Sequence, residues 1–378
     1  SQGGVPLLAN IHAGVFYPPN LLYQVLDFPR AYGWLVAGHM VLLGVGMWAL
    51  SRRWFGHGPA LIAAMALVLS GPVVSLNVFG PNLAALAWLP WALWAVVKGG
   101  PTLRTVAGCA CFLTLQLLAG DPMPALFTGL AGAVFVAVVD RRFKLLLTLA
   151  AAGALSLLLA AVQVLPTLEL LTVSDRASGV GAEMWSLHPA RVWEMLVPNA
   201  FGFYLEAPQF WGMFLSNGPG KIPFLLSVYL GASAVTLALA GWTPNRLTAF
   251  ALSLFALGIV LALGDRFVAG GLLHLPPLNI FRYPEKYLVL SVFGFAMLVA
   301  SGSARLRANG KVCRAGAPLA VGLISWAAAG PLRTLFDALL AAASKRAGSR
   351  FPLDAAAEAA GQAGRSAALV AAVVLLVV

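Results

Sequence analysis

Along its whole length the chain alternates apolar runs with short polar breaks. Bounded by charge, Pro or Gly, the runs are Ala31–Leu50, Pro59–Leu76, Leu83–Val97, Thr105–Leu118, Ala125–Val139, Leu145–Leu165, Phe224–Trp242, Leu247–Leu263, Leu288–Ser301 and Pro318–Gly330, with another starting at Ala367. Helices that are apolar all round sit in a core or in lipid, not on a wet surface. The runs predict an all-α, polytopic transmembrane helical bundle of about 10 to 11 spans. One transmembrane domain then covers 1–378: an outer segment 1–30, six spans in 31–165, a long outer loop 166–223, three spans in 224–301 around a second outer loop 264–287, and further spans in 302–378. Several runs are shorter than the roughly 20 residues of a straight crossing, so their helices should extend into the flanking loops.

Composition agrees with lipid as the solvent. The 378 residues are 60% hydrophobic and 10% charged, whereas soluble domains carry about 25% charge. The net charge of +11 would raise nucleic acid as a partner for a soluble chain. Here the Lys and Arg residues sit in short loops, which is how topology is encoded, and nucleic acid is not expected. Arg52 and Arg53, Lys98 and Arg104, Arg141, Arg142 and Lys144, Arg246, then Arg305, Arg307, Lys311 and Arg314 fall in alternate connections that contain one acid, Asp140. That set is expected to face the cytoplasm. Cys109, Cys111 and Cys313 lack metal-ligand spacing and read as packing residues. The start at Ser1 and the short last run suggest a piece of a longer chain.

The polar chemistry then gathers on the opposite face. After the sixth span come Gln163, Glu169, Asp175, Arg176, Trp185, His188, Arg191, Trp193, Glu194 and Asn199, followed by Phe201, Phe203, Tyr204, Phe210, Trp211 and Phe214. Charges interleaved with indoles suit a sugar held on aromatic faces, and suit equally a pair of interfacial helices with Trp at headgroup depth. Before the ninth span, Arg282 and Lys286 either hold a lipid phosphate or snorkel to anchor the helix. Asp121, in the turn Gly120–Pro124, either caps the next helix or lines a cavity. His39 is an isolated polar residue within a span. The Ala-rich stretch Leu339–Ala363 reads as an interfacial helix. No phosphate-binding Gly-rich loop with Lys, zinc spacing or nucleophile elbow occurs, which argues against a nucleotide-driven pump.

Six separated stretches, "GGVPLLANIHAGVFYPPNLLY" (Gly3–Tyr23), "VLSGPVVSLNVFGPNLAALAWLPWAL" (Val68–Leu93), "LLAGDPMPALF" (Leu117–Phe127), "AVQVLPTLELL" (Ala161–Leu171), "WSLHPARVWEMLVPNAFG" (Trp185–Gly202) and "LPPLNIFRYPEKYLVL" (Leu275–Leu290), resemble the bacterial YfhO family. The resemblance implies a GT-C type membrane glycosyltransferase. Such an enzyme moves a sugar from a polyprenyl-phosphate carrier to a cell-envelope glycopolymer, such as a teichoic acid, outside the bacterial cytoplasmic membrane. It also implies a catalytic carboxylate, a base or a ligand to a divalent metal, in an outer loop upstream of Ser1. The stretch from Ala317 onward matches nothing in that family.

An inverting transfer needs a proton acceptor, a clamp on the leaving phosphate and surfaces that orient the sugar. Arg282 and Lys286, with Arg176 third, are the candidate clamp. Glu169 and Asp121 are the candidate acids. Asn10, His12, Tyr17 and Asn20 are placed near the same cavity, and Trp185 and His188 are candidate substrate contacts. No cofactor is assigned, although a divalent metal fits the family. A transporter or flippase of lipid-linked sugars is the alternative, and it would call for broken helices and polar groups within the membrane.

Overall fold

The computed structural model describes residues 6–174, 184–196, 198, 201, 212, 215–216, 222–240, 242–267, 270–275 and 278–308. Among them the regular elements are all helical. The principal helices are α1 Phe28–Phe55, α2 His57–Val68, α3 Gly71–Ser75, α4 Gly80–Leu86, α5 Leu89–Gly99, α6 Leu103–Leu118, α7 Met123–Phe135, α8 Phe143–Leu159, α9 Ala161–Thr172, α10 Ala232–Ala240, α11 Arg246–Ala262 and α12 Leu288–Ala308. Their ends follow from local sequence. Pro29 opens α1, where a missing N–H costs nothing, and Gly56 at φ +78° ends it behind Arg52 and Arg53. Thr102 and Asn245 accept the first free N–H groups of α6 and α11.

Among the described residues, four helical runs are long and apolar enough to cross a membrane: Phe28–Phe55, Gly80–Gly99, Met123–Asp140 and Pro284–Ala308. The number becomes 6 if two bent pairs each count as one span, His57–Val68 with Gly71–Val78 at 47° and Phe143–Leu159 with Ala161–Thr172 at 84°. This is fewer than the sequence pattern predicts, for three reasons. First, α6 and α11 have 16 and 17 residues. At 1.5 Å per residue they reach roughly 24–26 Å, short of the roughly 30 Å hydrocarbon core. Second, the run Phe224–Trp242 holds only the nine-residue α10. Its first half is irregular because side chains elsewhere capture its backbone: Ser75 Oγ takes the Ser227 N–H at 2.9 Å, and Glu285 takes the Leu225 N–H at 2.9 Å. Third, Pro318–Gly330 and the run from Ala367 lie outside the described residues, as does the expected interfacial helix Leu339–Ala363.

The bundle is built around α12, which is buried on every side from Leu288 to Ala300 and packs against α2, α10 and α11. Close approach to α11 requires a missing side chain. A Cβ on Gly294 would lie 2.4 Å from the Ala251 carbonyl oxygen, and Ser291 Oγ donates to the Phe255 carbonyl at 2.9 Å. Small residues at such contacts are typical of helices packing in lipid. The outer helices are the reverse: α1 exposes Trp34 and Val41, and α8 exposes Leu157, Leu158 and Leu159. Apolar side chains in contact with the surroundings fit a lipid environment.

The two ends of the bundle differ in chemistry. At one end the Arg52 guanidinium lies 4.2 Å over Trp48, Arg305 donates to the Trp242 carbonyl, and Arg307 comes within 3.6 Å of the Cβ position at Gly58. At the other end the short 3-10 turn Pro284–Tyr287 leads into α12 with four consecutive buried residues. There Arg191 is enclosed among acids. Its Nε donates to Glu194 at 2.8 Å, Nη1 to Glu285 at 2.5 Å, and Nη2 to the Leu225 carbonyl at 3.0 Å. Burial alone pushes the Arg191 guanidinium down. The Glu285 and Glu194 carboxylates overcome this, and Arg191 titrates above its ordinary value. Burial moves the Glu194 carboxyl up against the pull of Arg191. The network ties the loop after α9, the irregular segment before α10 and the start of α12 into one unit.

Removing one member of such a buried network strands the others. Glu285→Ala is expected to destabilise the protein by about 3–5 kcal/mol, whereas Glu169→Ala, at an exposed position, is expected to cost less than about 0.5 kcal/mol. Unfolding of the two variants in detergent micelles checks the ranking.

Candidate functional site

Adjacent residues of the Pro284–Tyr287 turn point to different partners. Glu285 is bound to Arg191, whereas Lys286 Nζ donates to Asp121 Oδ2 at 2.9 Å, across 165 residues of chain. Both side chains of this second pair are buried. Asp121 Oδ1 also accepts the Met123 N–H at 3.1 Å, a local turn contact one residue ahead of the N-cap Pro122 of α7. Of the two sequence alternatives for Asp121, the cavity position is the one seen: it lines a cavity, while the N-cap position of α7 is Pro122. Gly120 makes the turn possible: its φ is +108°, and a Cβ there would meet the Ile11 carbonyl oxygen at 2.9 Å. Through this contact the N-terminal segment lies directly on the turn.

Aromatic residues frame the ammonium. Lys286 Nζ lies 5.4 Å from the Phe224 ring and 5.5 Å from the Tyr283 ring. Those rings stack at 5.3 Å, Phe224 stacks on Phe79 at 4.5 Å, and Trp185 meets Tyr283 edge-on at 4.6 Å. Trp185 and Tyr283 both have left-handed backbone, with φ of 60° and 70°. Non-glycine residues hold that conformation where the surroundings over-determine it. Here the Trp185 carbonyl accepts the Glu285 N–H at 3.0 Å, and Trp185 Nε1 donates to the Ile222 carbonyl at 2.6 Å.

A cavity of about 90 Å³ opens beside the pair, lined by His12, Asp121, Thr167, Arg282, Tyr283 and Lys286 among others. Four of the expected site residues, His12, Asp121, Arg282 and Lys286, thus meet there. Arg282 is partly exposed and makes no hydrogen bond or ion pair among the described residues. One fixed ammonium, one available guanidinium and one carboxylate committed to the ammonium make an anion-binding arrangement. A divalent metal does not fit it. Asp121 is its one carboxylate and is occupied twice, and among the described residues no three His, Cys, Asp or Glu side chains gather as metal ligands.

The remaining candidates lie elsewhere. Asn10 caps the turn Ile11–Ala13 by accepting the His12 N–H. Tyr17 is buried, with its hydroxyl 2.7 Å from His39 Nε2 and accepting from Trp88 Nε1 at 2.8 Å. These contacts tie the N-terminal segment to α1 and the α4–α5 run. Asn20 donates to the Gly14 carbonyl at 2.9 Å and faces a neighbouring cavity with His12. Trp185 supports the frame, and His188 caps the turn Pro189–Met195 through Nδ1. Glu169 is exposed on α9 outside the cavity lining, although Thr167 and Leu171 of that helix contribute to it. Arg176 lies outside the described residues. Sequence reasoning passed over Arg191, Glu194 and Glu285 as a unit. The one local trace of it is the three-residue spacing of Arg191 and Glu194.

No family model, no curated protein and no solved structure matches this chain.

Burial, followed by the nearby Arg266 and Arg191, lowers the His188 pKa below the ordinary imidazole value. The folded state therefore binds fewer protons than the unfolded one below about pH 6.5. Stability is full above that pH and is expected to fall as pH drops through it, until the depressed folded pKa is passed. His188→Asn, whose Oδ1 can take over the capping role of the imidazole Nδ1, is expected to remove this part of the acid sensitivity in unfolding measured between about pH 5 and 8.

Proposed function

We propose that the protein is a GT-C type membrane glycosyltransferase of about 10 to 11 spans that transfers a sugar from a polyprenyl-phosphate carrier to a cell-envelope glycopolymer on the outer face of the bacterial cytoplasmic membrane. The observation that supports the reading best is the cavity in which Arg282 stands beside the buried Lys286–Asp121 pair. In the transfer, the acceptor oxygen forms a bond to the sugar C1. The bond from C1 to the carrier phosphate oxygen breaks, its electron pair stays on the phosphate, and the acceptor hydroxyl proton passes to a base. Charge therefore develops on the phosphate.

Arg282 is suited to hold two phosphate oxygens through its planar fork. Lys286 is fixed by Asp121 and the aromatic frame, so its charge needs no reorganisation as the leaving group forms. Asp121 acts in this reading by positioning Lys286. The basic residues at the opposite end, around Arg52 and Arg305, fit a cytoplasmic side there.

The two bent helix pairs favour a second reading, a flippase or transporter of lipid-linked sugars, because discontinuous helices are a feature of such proteins. One assay separates the two. Membranes containing the complete protein are given a radiolabelled polyprenyl-phosphate sugar, and label is followed into polymer and across the bilayer. Incorporation into polymer that falls about 10²-fold or more in Arg282→Ala is the expected result. Incorporation unchanged by Arg282→Ala overturns the clamp, and label that crosses leaflets without entering polymer replaces transfer by flipping.

A further inference from the structure

Next to the anion site lies a second cavity of about 210 Å³, formed by the N-terminal segment, the first half of α1 and the start of α4. The two cavities have His12 in common. Their chemistry differs. No Asp, Glu, Lys or Arg side chain lines the second one. Along one wall Tyr23 stacks on Phe28 at 5.6 Å, and Phe28 on Tyr32 at 5.8 Å. The polar groups on its walls fall into two kinds. Some are already used: Tyr32 donates to the Asn77 carbonyl, while His39 donates from Nδ1 to the Leu35 carbonyl and accepts the Tyr17 hydroxyl proton at Nε2. Others are available, since the Tyr23 hydroxyl and Asn20 Oδ1 have no partner among the described residues.

We propose that this cavity binds a neutral pyranose ring, held against the Tyr23 and Phe28 faces and hydrogen-bonded by the Tyr23 hydroxyl and Asn20. A wall without Asp, Glu, Lys or Arg disfavours a phosphate or a carboxylate as the occupant. Available donors and acceptors beside aromatic faces suit a ring with one C–H face and hydroxyl edges. The volume is below the roughly 300–1,000 Å³ of pockets for larger ligands, which fits about one ring. The inference deepens the proposed function and rests on it only in taking the adjoining cavity as the phosphate clamp. The shared His12 would place the sugar directly beside that phosphate.

The test is saturation-transfer NMR on the complete protein in lipid nanodiscs, with methyl β-glucoside, methyl β-galactoside and methyl N-acetyl-β-glucosaminide as probes and glucose 1-phosphate as a fourth. At least one methyl glycoside is expected to bind, about tenfold or more weakly in Tyr23→Ala/Phe28→Ala. Arg282→Ala should leave glycoside binding unchanged. Both aromatic side chains are substantially exposed. Tyr23→Phe, which keeps the ring and removes only the hydroxyl, gives an intermediate loss and guards against a folding artefact. Absence of glycoside binding, or binding indifferent to Tyr23 and Phe28, overturns the sugar subsite even if glucose 1-phosphate still binds through Arg282. Glycoside binding without any effect of Arg282→Ala on glucose 1-phosphate keeps the subsite and removes the clamp. Competition between glycoside and glucose 1-phosphate assigns the subsite to the donor sugar, and simultaneous binding assigns it to the acceptor.

Discussion

One end of the bundle depends on a turn in which consecutive side chains take opposite partners. Glu285 holds Arg191, and Lys286 holds Asp121. A charge at the mouth of a buried helix is costly unless it is paired and hydrogen-bonded. The turn meets that cost for two charges of opposite sign, and each pairing fixes a different stretch of chain. Glu285 recruits the loop around Pro189–Met195 and the backbone at Leu225, while Lys286 recruits the α6–α7 turn and, through Gly120, the N-terminal segment. Because α12 is enclosed by its neighbours, the turn has a rigid base on which these segments assemble.

The cavities follow from that arrangement. With Lys286 held between a carboxylate and two rings, Arg282 is left at the surface of the smaller cavity with its guanidinium available. The strained backbone at Trp185 and Tyr283 belongs to the same construction. Each is left-handed where its ring packs on the other and its neighbourhood is fixed by Glu285. Rigid placement of charge before a ligand arrives is what an anion-stabilising site needs.

Much of this fold was legible in the sequence, and the rest was hidden for identifiable reasons. The long apolar runs located α1, the α4–α5 run, α7 and α12, because continuous apolarity is a local property. The run Phe224–Trp242 misled because its apolar residues do pack in the core, but Ser75 and Glu285 take backbone groups that a helix would have used. The bend between α8 and α9 falls at Ala160, before Pro166, the visible helix breaker. At the site, Asp121, Arg282 and Lys286 stood out as charges beside apolar runs. Their meeting was not legible, since the pair spans 165 residues. Asn10, Tyr17 and His188 carry polar groups that serve equally as caps, anchors or ligand contacts, and their intramolecular partners were not legible in the sequence.

The most direct test of the central turn is a double-mutant cycle on Asp121 and Lys286, with Asp121→Asn, Lys286→Met and the double variant unfolded in mixed micelles. If the pair organises this end of the bundle, each single change strands a buried partner, and the double variant is more stable than the sum of the single losses by about 1–3 kcal/mol. Additivity within about 0.5 kcal/mol would contradict the account.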